Sequence, residues 1–230
     1  MKEMPILFST EMVKAILQDK KTMTRRVINP QPTQDEYSFQ YKNHVYPCTE
    51  EQFRGGVREQ SPFGKIGDML WVRESWKIRG WNEDGFRIQY RDGERIWYAE
   101  PCEDEKAENY SIQCNNECIS AGLKPGDDNC FMIKGEPPTK WKPSIFMPRW
   151  ASRILLEIKN IRVERLQEIN EEDAKKEGMQ TELDHSPTSA WLRFIEIWNR
   201  LNEKRGFGWS KNPWVWVIEF EKIKNIGGNI

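Results

Sequence analysis

Apolar residues in this chain come in short runs, none long enough to span a bilayer. Met69-Leu70-Trp71-Val72 and Trp214-Val215-Trp216-Val217-Ile218 have the length of strands. Met12, Ala15 and Ile16, and later Trp191, Phe194, Ile195, Trp198 and Leu201, recur at helical spacing. A chain assembled from such pieces folds as an α+β protein, with helices flanking a sheet of short strands. With 37% hydrophobic and 31% charged residues the core is modest, and eleven tryptophans supply much of its bulk. The 230 residues suit one large domain, or one domain with an insertion.

The expected elements run in this order. Ile6-Leu7-Phe8 is a short strand, and Ser9 or Thr10 caps a helix that ends near Asp19. Thr22–Val27 alternates as a strand, with Thr22, Thr24 and Arg26 on one face and Met23, Arg25 and Val27 on the other. Residues 28–66 read as loop-rich. Gly67-Asp68 launches a strand through Trp76, and Phe86–Tyr90 with Ile96–Tyr98 reads as a hairpin. A strand is expected over Ile154–Val163, a short helix over Glu171–Glu177 stopped by Gly178, a helix over Ala190–Leu201 and a last strand over Trp214–Phe220.

Charge is unevenly spread. Residues 100–130 carry eight acids against two lysines, net −6, which leaves +5 for the rest of a chain whose total is −1. A protein that coats long nucleic acid by charge alone is excluded, whereas a single nucleotide or RNA-base site is not. Residues 100–140 are treated as an acidic insertion that holds Cys102, Cys114, Cys118 and Cys130. Only one pair of these is close in sequence, so free thiols are the first expectation and a structural zinc site the second. With two histidines, His44 and His185, set apart from the other polar clusters, a Ser-His-Asp triad is poorly supported. Met1–Phe8 lacks the long apolar region of a signal peptide, so a soluble cytoplasmic protein is expected, without a membrane partner.

The segment Gln18–Arg26 puts Lys20, Lys21, Arg25 and Arg26 beside Thr22 and Thr24 at a helix-to-strand junction. Such a set can bind an anion, polarise a carbonyl or activate a hydroxyl. The plainer alternative is a solvated helix end, where the macrodipole favours cations anyway.

Lys21-Thr22-Met23-Thr24-x-Arg26, Gly67-Asp68 before a strand, and Val163-Glu164-Arg165-Leu166 before a short acidic helix together resemble the ASCH domain. The phrases Pro5–Ser9, Trp71–Glu74, Trp141–Ile145, Met147–Arg153 and Asn212–Phe220 are similar to phage and prophage ASCH proteins. The resemblance implies one PUA-like mixed β-barrel domain over residues 1–230, with flanking helices and the insertion at about 100–140. It departs from the general Gly-x-Lys-x-x-Glu-x-Arg signature, with Asp19 for the glycine and Thr24 for the glutamate. The threonine form resembles small bacterial enzymes that hydrolyse N4-acetylcytidine. The resemblance therefore implies an amidohydrolase using Lys21, Thr24 and a glutamate on the acidic helix, best matched by Glu177, with Glu171 and Glu172 as competitors. It implies no cofactor, a modified cytidine nucleoside or RNA as partner, and the cytoplasm of a bacterial host if the chain is phage-encoded. Its rivals are a non-catalytic RNA-binding module and a phage protein that binds a host protein.

The chemistry is self-consistent. A lysine becomes a base when burial or neighbouring cations lower its pKa, and a threonine hydroxyl becomes a nucleophile beside such a base. Glu177 would carry the proton to the departing amine, while Arg26 would steady the oxyanion or bind the nucleoside. Acyl transfer to Thr24 and attack by a Thr24-held water both remain open. Arg73 and Glu74 are expected to read a base edge, and Arg149 to meet phosphate. For Arg73 and Glu74 a surface ion pair is the competing expectation. Most of the tryptophans are expected in the core.

Overall fold

The computed structural model describes residues 1–34, 38–46, 49–82, 85–99, 105–126, 131, 135–179 and 189–223. Strand β1 (Glu3–Leu7) leads into helix α1 (Thr10–Leu17), then strand β2 (Met23–Val27). Three very short strands follow, β3 (Thr33–Gln34), β4 (Phe39–Tyr41) and β5 (His44–Tyr46), then helix α2 (Glu50–Arg58). Strands β6 (Met69–Arg73), β7 (Trp76–Asn82), β8 (Gly85–Tyr90) and β9 (Arg95–Ala99) precede helix α3 (Glu105–Ser120). The chain ends with β10 (Leu155–Arg165), α4 (Glu171–Lys176), α5 (Ala190–Asn202) and β11 (Trp214–Ile223). This is an α+β protein. Its five-stranded sheet is ordered β1-β6-β10-β11-β2, and two three-stranded sheets are ordered β3-β4-β5 and β7-β8-β9.

The chain divides into two compact units, one of residues 1–4, 14–70 and 156–223, the other of residues 5–13 and 71–155. The first unit is centred on Met23, Leu166, Ala174, Phe194, Trp198, Val215 and Val217. Here β2 lies antiparallel to β11, with Thr24 opposite Ile218 and Arg26 opposite Trp216. Helix α5 forms because Ala190, Phe194 and Trp198 stack on one side, and Ser189 accepts the orphan N–H of Leu192 at its start. The segment expected to be loop-rich contains β3, β4, β5 and α2. Thr49 and Gln52 form a reciprocal capping box on α2, and the helix buries Phe53 and Val57. Phe53 meets Trp214 edge-on at 5.1 Å.

The second unit is built on the β7-β8-β9 meander, whose Trp76, Ile78, Phe86, Ile88 and Tyr90 share a core with Cys114, Met147 and Ala151. The meander is the expected hairpin extended by β7, and β7 carries an irregularity between Ile78 and Gly80. The expected Met69–Trp76 strand breaks after Arg73, so Trp76 opens β7. Within the acidic segment α3 is a 16-residue helix, and its Cys114 and Cys118 are both wholly buried. Among the described residues no helix is long and apolar enough to cross a membrane.

Candidate functional site

Asp19 adopts a left-handed conformation (φ 56°) that ends α1. Both Lys20 and Lys21 then donate their backbone N–H groups to Ala15 O, at 2.8 and 3.1 Å. The cation serving the end of α1 is Lys222, whose Nζ donates to Leu17 O at 2.9 Å and pairs with Asp19 at 2.9 Å. Lys21 turns inward instead. It forms an antiparallel bridge with Glu177, the residue that ends α4, and Thr22 donates its N–H to Lys176 O at 2.9 Å. Asn170 fixes the start of α4 by accepting the Asp173 N–H, and Gly178 (φ 90°) turns the chain out of it.

Lys21 is 2% exposed. Its Nζ donates to Glu177 Oε2 at 2.7 Å, to Glu177 O at 2.8 Å and to Met23 O at 2.8 Å. Three oxygens thus meet the three protons of an ammonium. Burial pulls the Lys21 pKa below its ordinary value; Glu177 opposes that pull, and Arg26 and Arg25 add to it. Glu177, itself 4% exposed, is held from its other side as well, with Oε1 3.5 Å from Arg25 Nη1. Arg25 also binds Asp173 and, at 3.3 Å, Glu164, and its guanidinium lies 6.0 Å from the Phe194 ring centre. Arg162 joins the same network through Asp173 at 3.0 Å and through Glu164 and Glu219.

The three candidate carboxylates on the acidic helix are therefore separated. Glu177 faces Lys21. Glu171 caps α5 by accepting the N–H groups of Ala190 at 2.8 Å and Trp191 at 3.0 Å, which hold its pKa below the usual carboxylate range. Glu172 is exposed and lies 3.6 Å from Lys176. Thr24 is 3% exposed on β2, and alternation puts it on the face opposite Met23 and Arg25. Among the described residues no hydrogen bond joins its hydroxyl to Lys21 or Glu177. Arg26 shares the Thr24 face. Burial pushes its guanidinium down to about 10, Glu177 pulling it up and Arg205 pushing it down, so it stays charged at neutral pH.

The remaining expected binding residues belong to the second unit. Glu74 is 2% exposed and both its oxygens are occupied, by Arg153 Nε and Nη2, each at 2.8 Å. Glu74 thus forms an ion pair, though a buried one and not the expected surface pair, and in this state neither oxygen is available to a base edge. Arg153 also binds Asp92 at 2.6 Å and Glu94, and its guanidinium lies 4.0 Å from the Tyr90 ring centre. Arg73 lies over Trp71, 4.7 Å from the ring centre. Arg149 opens a single 3₁₀ turn, Arg149–Ala151, and is partly buried. Trp76, Trp150, Phe86 and Tyr110 pack on one another, and Trp71, Trp76, Trp198, Trp214 and Trp216 are all buried, in line with a core role.

Cys114 and Cys118 are free thiols, and burial pushes Cys114 up to about 12. Cys102 and Cys130, the other two members of the candidate zinc set, lie outside the described residues. Among the described residues no group of three or more His, Cys, Asp or Glu side chains is arranged to hold a metal ion.

Arg25 and Asp173 are the site residues that sequence reasoning missed. In sequence Arg25 reads only as a nearby cation, although it shares a strand face with the buried Met23. Asp173 sits three residues after the Asn170 cap, where an acid is normally explained by the helix dipole alone.

No protein-family model matches the chain, and no curated protein matches it. A solved structure described as "High resolution crystal structure of ASCH domain from Lactobacillus crispatus JV V101" overlays on it with a TM-score of 0.37 and 10% sequence identity, over 99% of this chain and 81% of that chain. At that overlap the likeness assigns no role to any residue.

Proposed function

We propose that the chain is a single-domain ASCH-type protein that binds a nucleoside or RNA base and hydrolyses the N4-acyl amide of N4-acetylcytidine-type substrates. The reading is carried by the Lys21–Glu177 pair. An amine and a carboxylate 156 residues apart in sequence meet at 2.7 Å with almost no solvent contact. A buried lysine with a lowered pKa and a carboxylate at hydrogen-bond distance are the two groups that proton-transfer catalysis needs.

In this mechanism Lys21 first gives a proton to Glu177, leaving a neutral amine. The amine then takes a proton from the Thr24 hydroxyl or from a water held by Thr24, once substrate binding has brought that group within reach. The oxygen attacks the acyl carbon, and Arg26 stabilises the oxyanion. The C–N4 bond breaks as Glu177 gives its proton to N4, which releases cytidine. Where a water attacked, its oxygen is already in the carboxylic acid. Where Thr24 attacked, a second water then cleaves the acyl–Thr24 ester, its hydroxyl going to the acyl carbon and its proton back to the Thr24 oxygen. Arg26 is assigned to substrate contact.

A second reading, a non-catalytic RNA-binding module of phage origin, is favoured by a specific observation. Lys21 already has three oxygen acceptors, and Thr24 makes no hydrogen bond to it. One experiment separates the two. Purified protein is incubated with N4-acetylcytidine, and cytidine release is followed by chromatography. The enzyme reading expects turnover that falls by a factor of about 10² or more in Lys21→Ala and Thr24→Ala. Folded wild type without turnover rejects it for this substrate. RNA binding with steep salt dependence and no product then supports the module.

A further inference from the structure

Helix α3 and the chain that returns to the meander leave between them a groove of about 510 Å³, a volume in the range of small-molecule sites. The helix side carries Ile112, Asn116, Glu117 and Ser120, and the other side carries Pro138 and Lys140. Both sides are held in place. Cys114 and Cys118 are buried under α3, and Thr139, between the two residues of the opposite side, donates its hydroxyl to Ile78 O.

Two of the lining residues carry formal charge, Glu117 and Lys140, and their signs are opposite. Among the described residues neither belongs to an ion pair. Glu117 Oε1 accepts the Gln113 amide N–H at 3.0 Å, and Oε2 accepts the backbone N–H of Lys140 at 3.1 Å. Both donors are uncharged, so the carboxylate keeps its charge and has lone pairs to spare. Gln113 is fixed in turn, its Oε1 accepting from Lys142 Nζ at 2.7 Å. Glu117 thus holds the main chain of Lys140 and leaves the exposed ammonium of that residue to solvent. In the same groove Asn116 and Ser120 present an amide and a hydroxyl that bond to no other described residue, and Ile112 is half exposed.

A purely cationic ligand would meet the Lys140 ammonium here, and a purely anionic one would meet the Glu117 carboxylate. A ligand with one charge of each sign matches both. Asn116 and Ser120 suit amide groups lying between those charges, while Ile112 and Pro138 suit small apolar side chains. We propose that this groove binds a short zwitterionic peptide, with its terminal ammonium on Glu117 and its terminal carboxylate on Lys140. The groove belongs to the second unit, whereas Lys21, Thr24, Arg26 and Glu177 belong to the first, so each reading can fail without the other.

The test is a titration of full-length ¹⁵N-labelled protein with tri-alanine, N-acetyl tri-alanine and tri-alanine amide, following the Asn116 side-chain amide and the backbone amides of α3. Tri-alanine should move these resonances in the millimolar range, and sodium chloride should weaken the effect. Blocking either end of the peptide should weaken binding about fivefold, the upper range for an ion pair that water still reaches. Glu117→Gln should bind the free and acetylated peptides alike while still discriminating against the amide. Lys140→Gln should do the reverse, and Lys21→Ala should bind all three like wild type. Resonances unmoved by tri-alanine, equal wild-type affinity for the free and blocked peptides, or undiminished discrimination at both ends in the two groove variants overturns the proposal. If Glu117→Gln does not fold, the blocked peptides and Lys140→Gln, a change at an exposed side chain, still decide it.

Discussion

Lys21 keeps its ammonium where solvent scarcely reaches, and Glu177 is the main force holding the proton on it. The sign of the resulting pH dependence is fixed. A lysine whose folded pKa lies below 10.5 binds fewer protons in the native state than in the unfolded one between those two values. Stability from this group therefore rises with pH across that window. In Glu177→Gln the raising influence of the carboxylate is gone, so the Lys21 pKa should fall further. The acid limb of kcat/KM for amide cleavage should then shift to lower pH, as should the Lys21 Nζ resonance followed by NMR. An unmoved limb would remove Lys21 from the base role. Deleting the carboxylate outright, as in Glu177→Ala, should cost about 3–5 kcal/mol in urea unfolding, the usual penalty for stranding one member of a buried pair. The lysine itself was legible from its place beside a threonine and two arginines. Its partner was matched to Glu177 only through the family resemblance, because Glu171, Glu172 and Glu177 are chemically alike in sequence. Glu171 is drawn away by the start of α5, a tertiary contact that no local pattern records.

At the scale of elements, α4 is a six-residue helix whose ends do most of the work of placing Glu177. Gly178 is required there twice over. Its φ of 90° is strained for any side chain, and a Cβ would sit 3.2 Å from both Ala15 Cβ and Lys21 Cβ. Gly178→Ala should therefore destabilise the protein by about 1–2 kcal/mol from the backbone alone, measured as a lower urea midpoint, and should disturb the Lys21 resonance as well. This glycine was readable as a helix stop. Helix α2 is readable in principle from Thr49-Glu50-Glu51-Gln52, but Gly55-Gly56 inside it disfavours a helix. The buried ends of Phe53 and Val57 outweigh the helix penalty of two glycines. Helix α3 was hidden differently. Its inward positions include Tyr110, Cys114 and Cys118, and a thiol read as a metal ligand is not counted as a core residue.

At the scale of the whole chain, the α+β class followed from runs of apolar residues too short for anything else. The division into two compact units did not, because strands β1, β6 and β10 each contribute residues to both. The second unit's meander is laced to the chain that returns after the acidic segment. Glu136 binds Lys77 at 2.9 Å and also Arg79, Lys77 donates to Pro137 O at 3.1 Å, and Trp76 and Lys142 exchange both backbone hydrogen bonds. On the outgoing side, α3 is anchored by Cys114 in the core and by Asn115, which accepts the Trp81 indole N–H at 2.9 Å. A polypeptide tied down on both sides of an excursion does not depend on its covalent continuity there. A protease site inserted after Gly126 should thus be cleavable while the two fragments still co-elute as one folded particle in gel filtration. The same position would then accept split-protein reporters, the halves finding each other through the lacing rather than through the peptide bond.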